Sequence, residues 1–325
     1  MGVAVPDKLV VDRSNLPRNR LNGLNGPDGP MSTPAPATRR RITGKTKLIA
    51  LLGSPVSHSR SPQMQNGVFE ALGLDFAYLA FDVGLDRVGD AVSALRTLGI
   101  RGANVTMPLK RAICSHLDQL SNAAEMAGAV NVIVNDDGVL TGHITDGVGY
   151  MASLAEAGVA TEGKTMTIVG VGGAATAVAI QAAMQGVKCI HLFNARDDFF
   201  NGGEATAQML QNRLGCEARF FDLADAAALK ESIACSDIFV NGTPVGMEAT
   251  LDQAVIPDAS YFHRGLTVSD LIYVPEQTTL LRMARDAGCK TVSGMGMQLF
   301  QAVDAFRLWT GRDMPVELAR QHLFG

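Results

Sequence analysis

Residues Thr165 to Phe200 read TMTIVGVGGAATAVAIQAAMQGVKCIHLFNARDDFF, and the order of residue types in this stretch decides the fold. An apolar, β-prone run from Met166 to Val169 enters a Gly-rich turn. A small-residue helical pattern follows from Ala174 to Gln185, and a second apolar run spans Cys189 to Phe193. Strand, tight turn, helix and strand make the first βαβ unit of a dinucleotide-binding fold. The turn itself, Gly170-Val171-Gly172-Gly173-Ala174-Ala175, matches G-x-G-x-x-A. Gly170 suits the tight bend, Gly172 and Gly173 let backbone N–H groups approach a pyrophosphate, and Ala175 keeps helix close to strand. Taken in isolation, an ordinary Gly-rich βα turn would read the same way.

The residues after the second strand bear on which dinucleotide fits. An acid there accepts a hydrogen bond from a free ribose 2′-hydroxyl, whereas Arg or Lys is needed to hold a 2′-phosphate. Asn194-Ala195-Arg196-Asp197-Asp198 offers both. Asp197 lies a little later than the usual strand-end acid, and Arg196 suits stacking on adenine or facing a phosphate. The balance favours NAD and leaves NADP open.

At 325 residues, with 47% hydrophobic and 18% charged, the chain has material for two packed domains. A net charge of −4 gives no broad basic field, so nucleic acid is not expected as a partner. No apolar run reaches membrane-spanning length and the start lacks a signal-like apolar region, so the expectation is a cytoplasmic protein without a membrane partner. Five widely spaced cysteines, mostly inside apolar runs, suggest reduced core thiols with neither a disulfide frame nor a metal site.

Residues 1–44, rich in Pro, Gly, Asn and Arg, read as a flexible leader. Met31 is a candidate alternative start, and Arg39-Arg40-Arg41 reads as a solvated lead-in. From Lys47 strands and helices alternate: strands at 48–52, 76–81, 102–106, 130–134 and 139–140, and helices at 63–72 and 88–98, argue for a mostly parallel sheet. The loop from Gly53 to Pro62 carries four serines ahead of a helix. Ser61 before Pro62 has the form of an N-cap, while Ser59 and Ser61 at a helix N-terminus also suit a small carboxylate. Asn104, Thr106 and Lys110 fall on and just after the third strand, where open α/β sheets bind ligands. Asn131 and Asp146 sit in polar clusters that also read as a loop cap and a turn.

HSRSP, GANVTMPLK, GAVN and TDG, then the Gly-rich turn, NGTPVGM, D-x-x-Y-x-P and GMGMxxxQ, resemble in order the shikimate dehydrogenase family over about residues 47–325. FNARDDFF and SPxMQN are most similar to its quinate/shikimate branch. The resemblance implies a catalytic pair, Lys110 and Asp146, and serines Ser59 and Ser61 on the substrate carboxylate. It implies Thr106, Asn131, Tyr273 and Gln301 around the ring hydroxyls. For the nucleotide it implies Gly170, Val171, Gly172, Gly173, Ala174, Asn194, Arg196, Asp197, Leu271 and Gly294. Where strictly NADP-linked members carry an Arg, this chain has Ala195, which strengthens the NAD reading. Two departures are His143-Ile144 ahead of Thr145-Asp146, with His143 favoured as a solvent-facing replacement, and Ser293 in place of a common Asp.

The expected architecture is α/β in two domains: a substrate-binding domain over 45–146, completed by helices at about 297–325, and a Rossmann-type domain over 147–296. The expected chemistry is NAD-linked oxidation of quinate or shikimate in the cleft, in a possible homodimer. A biosynthetic NADP-linked enzyme and a non-catalytic nucleotide sensor are the rivals; intact Lys110 and Asp146 speak against the sensor.

Overall fold

Two six-stranded sheets carry the chain in this computed structural model, which describes residues 42–325. The leader expected over residues 1–44, Met31 and the Arg39-Arg41 cluster lie outside the described residues, except for its last positions. Residues 42–325 form one compact unit.

The first sheet has the order β2-β1-β3-β5-β6-β4. Its members are β1 (Lys47–Gly53), β2 (Phe76–Asp82), β3 (Gly102–Val105), β4 (Gln119–Leu120), β5 (Val132–Asp136) and β6 (Val139–His143). β1, β2 and β3 run parallel, whereas β5 is antiparallel to both β3 and β6. That reversal has a functional consequence. It brings the amino end of β5 to the same edge as the carboxyl ends of β1, β3 and β6.

The run Leu48–Leu52 is apolar throughout because both faces of the sheet are covered. Ile49 and Leu51 face one core with Val68 and Phe69 of α1 (Ser61–Ala71), Phe306 and Trp309 of α9 (Gly294–Thr310) and Leu323 of α10 (Val316–Phe324). Ala50 and Leu52 face the other, with Val92 and Leu95 of α2 (Val88–Thr97). The C-terminal helices therefore complete the N-terminal sheet. Trp309 Nε1 donates to Ile133 O at 3.0 Å, and Arg101 Nε donates to Trp309 O at 3.0 Å.

The second sheet is wholly parallel in the order β12-β11-β10-β7-β8-β9. Its strands are β7 (Thr165–Val169), β8 (Cys189–Asn194), β9 (Glu217–Asp222), β10 (Ile238–Asn241), β11 (Thr267–Asp270) and β12 (Lys290–Val292). Counted from β7 this is 3-2-1-4-5-6 read from one edge, the doubly wound dinucleotide-binding order, with its switch point between β7 and β10. Helices α5 (Gly173–Met184) and α6 (Phe200–Leu214) cover one face, α7 (Ala226–Ala234) and α8 (Thr279–Asp286) the other. The short α3 (Asn122–Ala127) and the longer α4 (Asp146–Glu156) lie between the sheets, and α4 packs on both α5 and α9.

Some local expectations are corrected. Helix α6 begins at Phe200, where packing of Phe200 edge-on against Phe220 at 5.1 Å outweighs the poor helical propensity of Gly202 and Gly203. Ser61 is not an N-cap: it is the first helical residue of α1, Arg60 precedes it, and no side chain caps the helix. Of the five free thiols, Cys216 and Cys289 are buried, Cys114 and Cys189 half-buried, and Cys235 exposed, so the cysteines are less uniformly core residues than expected. No helix among the described residues is long and apolar enough to cross a membrane.

Candidate active site

Four loops meet at one edge of the first sheet, and backbone hydrogen bonds fasten them. Ser54 N donates to Met107 O, Val105 N to Asn131 O, Asn131 N to His143 O, and Val130 N to Lys110 O. This register puts the side chains of residues 110, 131 and 146 together although 36 residues separate the first and last.

Lys110 Nζ donates to Asp146 Oδ2 at 2.5 Å. The other carboxylate oxygen, Oδ1, accepts from Asn131 Nδ2 at 2.9 Å. Asn131 is fixed in turn: its Oδ1 accepts the Thr145 N–H at 2.8 Å, and its Nδ2 also reaches Thr145 Oγ1 at 3.0 Å. Thr145 Oγ1 donates to Gln301 O at 3.0 Å, and the Gln301 amide oxygen lies 3.4 Å from Asn131 Nδ2. The Asp146 side chain is 8% exposed and that of Lys110 is 23% exposed, so the pair opens to solvent on the lysine side. Asp146 is also the first residue of α4, where the helix N-terminus favours an anion.

Close helix packing holds this geometry. A Cβ on Gly149 would meet Gln301 N at 2.5 Å, and one on Gly147 would meet Ala177 O at 2.3 Å, so α4 lies against α9 and α5 at distances only glycine permits.

Ser59 and Ser61 sit at the start of α1, with Ser61 N donating to Ser59 Oγ at 3.3 Å. Thr106 stands just past β3, half-buried over Gly53. Residues 59, 61, 106, 110, 131, 146 and 301 thus share one edge. Tyr273 does not join this hydrogen-bonded group: it lies on the loop after β11, 38% exposed, and carries no hydrogen bond among the described residues. His143, expected to face solvent, is half-buried beside Asp304 of α9, and burial pushes its pKa down. Ile144 is buried in the core instead of lining the edge.

Three polar residues that spacing did not single out for this role support the site. The Tyr78 hydroxyl donates to Asn104 Oδ1 at 2.7 Å, Asn104 Nδ2 donates to Asn131 O at 3.1 Å, and Thr145 bonds Asn131 and Gln301. Full burial drives the Tyr78 phenol pKa upward, opposed by a hydrogen bond with Ser61, so this hydroxyl stays protonated. Asn104, expected to reach a ligand, is spent inside the protein. A lone Tyr inside Phe76–Asp82 and a lone Asn inside Gly102–Val105 were the available signals, since buried polar groups demand partners.

The nucleotide half is built at the carboxyl edge of the second sheet. Gly170 adopts φ +108°, and a Cβ there would meet Gly242 backbone at 2.8 Å, so the turn between β7 and α5 requires glycine. N-cap Gly172 gives α5 no side-chain acceptor, and a Cβ on Gly172 would meet nothing within 4 Å. The first-turn N–H groups of Gly173 and Ala174 are therefore open to an anion, an arrangement that fits a pyrophosphate. Val171 N donates to Asn194 Oδ1 at 3.1 Å, locking the turn to the end of β8. Asn194 Nδ2 and Phe199 N both donate to Asp197 Oδ1, at 2.7 and 2.9 Å. Arg196 pairs with Asp222 at 2.7 Å. Gly294 N donates to Ile272 O at 3.0 Å, and a Cβ there would strike Leu271 O at 2.3 Å, so these two predicted nucleotide residues are packed together.

The two halves adjoin. Ala129, in the loop pinned to Lys110, has its Cβ 3.9 Å from where a Cβ of Gly173 would stand, and Arg111 lies 5.2 Å over the Phe199 ring. The arrangement can transfer a proton at Lys110 beside a cradle for a dinucleotide.

Residues 51–133 match the family model of the shikimate dehydrogenase substrate binding domain, and residues 294–324 that of the shikimate 5'-dehydrogenase C-terminal domain. A shikimate dehydrogenase (NADP(+)) of Listeria monocytogenes is 50% identical over 284 residues, 87% of this chain and 98% of its own length. A quinate/shikimate dehydrogenase of Escherichia coli is 45% identical over 280 residues, 86% of this chain and 97% of its own. A shikimate 5-dehydrogenase of Listeria monocytogenes, solved in complex with shikimate and NAD, superposes with a TM-score of 0.85 at 49% identity, covering 88% of this chain and 99% of that one. With motifs, sheet order and relatives in agreement, the chain belongs to the shikimate dehydrogenase family of oxidoreductases.

Proposed function

We propose that this chain interconverts a cyclic hydroxy acid, shikimate or quinate, and its 3-dehydro ketone, with NAD as the preferred cofactor. The Lys110–Asp146 pair, shielded from water on the carboxylate side and adjoining the Gly-rich turn, carries this reading. Oxidation removes a hydride from the carbinol carbon and a proton from its oxygen. The nicotinamide, when bound, accepts the hydride. A neutral Lys110 amine takes the hydroxyl proton, and Asp146 balances the ammonium that forms; reduction runs the same proton back. Ser59 and Ser61 hold the carboxylate at the start of α1, and Thr106, Asn131, Tyr273 and Gln301 receive the ring hydroxyls. Residues 170–174, Asn194, Asp197, Leu271 and Gly294 hold the dinucleotide. Residues 45–146 with about 297–325 serve as the substrate domain and 147–296 as the nucleotide domain.

Ala195 and the engagement of Arg196 by Asp222 support NAD over NADP. The second reading, an NADP-linked biosynthetic enzyme, draws on the name of the Listeria relative. Steady-state assays crossing shikimate and quinate with NAD and NADP decide between them: a large NADP preference with shikimate favours the second reading, and no turnover in any combination removes both.

A further inference from the structure

The cation that a 2′-phosphate would need already has a partner. Arg196 leaves the end of β8 and leans sideways to β9, where its Nε donates to Asp222 Oδ2 at 2.7 Å; its guanidinium carbon lies 4.9 Å from the Phe200 ring centroid. Asp222 is the register partner of Asn194, so this acid stands at the carboxyl end of the neighbouring strand, one strand further from the turn. Its second oxygen, Oδ1, accepts the Ala224 N–H at 2.9 Å, which orients the carboxylate. The Ala224 N–H and then Arg196 hold the Asp222 carboxyl below its ordinary pKa, which favours the carboxylate form that pairs with Arg196. Asp197 does not compete for Arg196 through Oδ1, which is taken by Asn194 and Phe199 N–H.

We infer that Asp222 is a specificity-determining residue for the cofactor: by pairing with Arg196 it withholds the guanidinium from a 2′-phosphate and so disfavours NADP. The inference deepens the NAD reading and rests on the same nucleotide site. The pair is a solvent-facing one, with the Arg196 side chain 75% exposed, so a phosphate dianion can compete with the carboxylate. The discrimination is accordingly graded, not absolute.

The test compares kcat/KM for NAD and NADP in the wild type, Asp222→Asn, Asp222→Ser and Arg196→Ala/Asp222→Asn. Asn and Ser both keep an acceptor for the Ala224 N–H, and NAD kinetics within about twofold of wild type report an intact fold. Release of Arg196 is expected to raise kcat/KM for NADP by about five- to tenfold in either single variant, and the double variant is expected to lose that rise. An unchanged NADP value in the single variants overturns the inference. So does a rise that persists without Arg196, which would mean simple removal of negative charge. A wild-type preference for NADP strikes the NAD reading, whereas the ratio of variant to wild type judges Asp222 separately.

Discussion

Lys110 and Asp146 depend on each other in a way that truncation exposes. With Asp146 at 8% side-chain exposure, removing the lysine leaves a carboxylate held only by Asn131 and the helix N-terminus. Lys110→Ala is expected to lower kcat by about 10²- to 10⁴-fold with KM little changed, because a proton-transfer group acts in the transition state. An unimpaired turnover number in that variant would take Lys110 out of the mechanism. Asp270, at the end of β11, offers a second test at this scale. Burial lifts its carboxyl from 3.8 to about 6, against the opposing Ile272 N–H, Thr278 hydroxyl and Asn241 amide. The folded state then binds this proton more tightly than the unfolded chain. The group's stabilisation is therefore full below about pH 4 and disappears as pH rises through about 6. Relative to Asp270→Asn, the wild type should gain about 2 kcal/mol between pH 7 and pH 4.5 in denaturant titrations. A difference that does not change with pH would mean the carboxyl is not raised.

At the level of elements, α4 is the part that transmits packing to chemistry. It begins with Asp146, and Gly149, one turn on, touches α9 through the backbone of Gln301 and Met297 at 2.5 and 2.7 Å from a notional Cβ. Gly149→Ala forces the helices apart and is expected to cost about 1–3 kcal/mol in denaturant unfolding. It should also lower kcat, since Thr145 and Asn131 are tied to Gln301 across this same crossing. Full activity in that variant would separate the crossing from the catalytic geometry. Elements of this kind were largely legible in the sequence: the Gly-rich turn of Thr165–Phe200 gave a strand and helix within one residue of those observed, and Asp225 caps α7 as its residue type implies, accepting from Ala228 N. The short strands β4 and β12 were not legible, because two or three residues carry no periodicity and exist through their neighbours. The links from Tyr78 to Asn104 and from Arg196 to Asp222 span 26 residues each, and no local pattern announces such partners.

At the scale of the whole molecule, the two sheets of the described residues are tied together by one apolar cluster that runs from Leu52 and Ile133 of the first to Ile168 and Leu192 of the second. Unfolding is therefore expected to be a single transition. Trp309, the one tryptophan in the chain, packs against the first sheet, so its fluorescence should change together with far-ultraviolet circular dichroism; two separated midpoints would mean that the sheets melt independently. Leu323, 1% exposed in α10, should cost about 2–5 kcal/mol when replaced by alanine, and the loss should appear in that same transition.

The cover that α9 and α10 provide for β1 comes from residues made long after that strand. On the ribosome, Ile49 and Leu51 emerge some 250 residues before Phe306 and Trp309, so in the interval that side of the nascent sheet has only α1 to cover it. Chains interrupted before α9 should partition into aggregates or chaperones more than chains that include α9 and α10, which makes the arrival of these two helices the step that seals the first sheet.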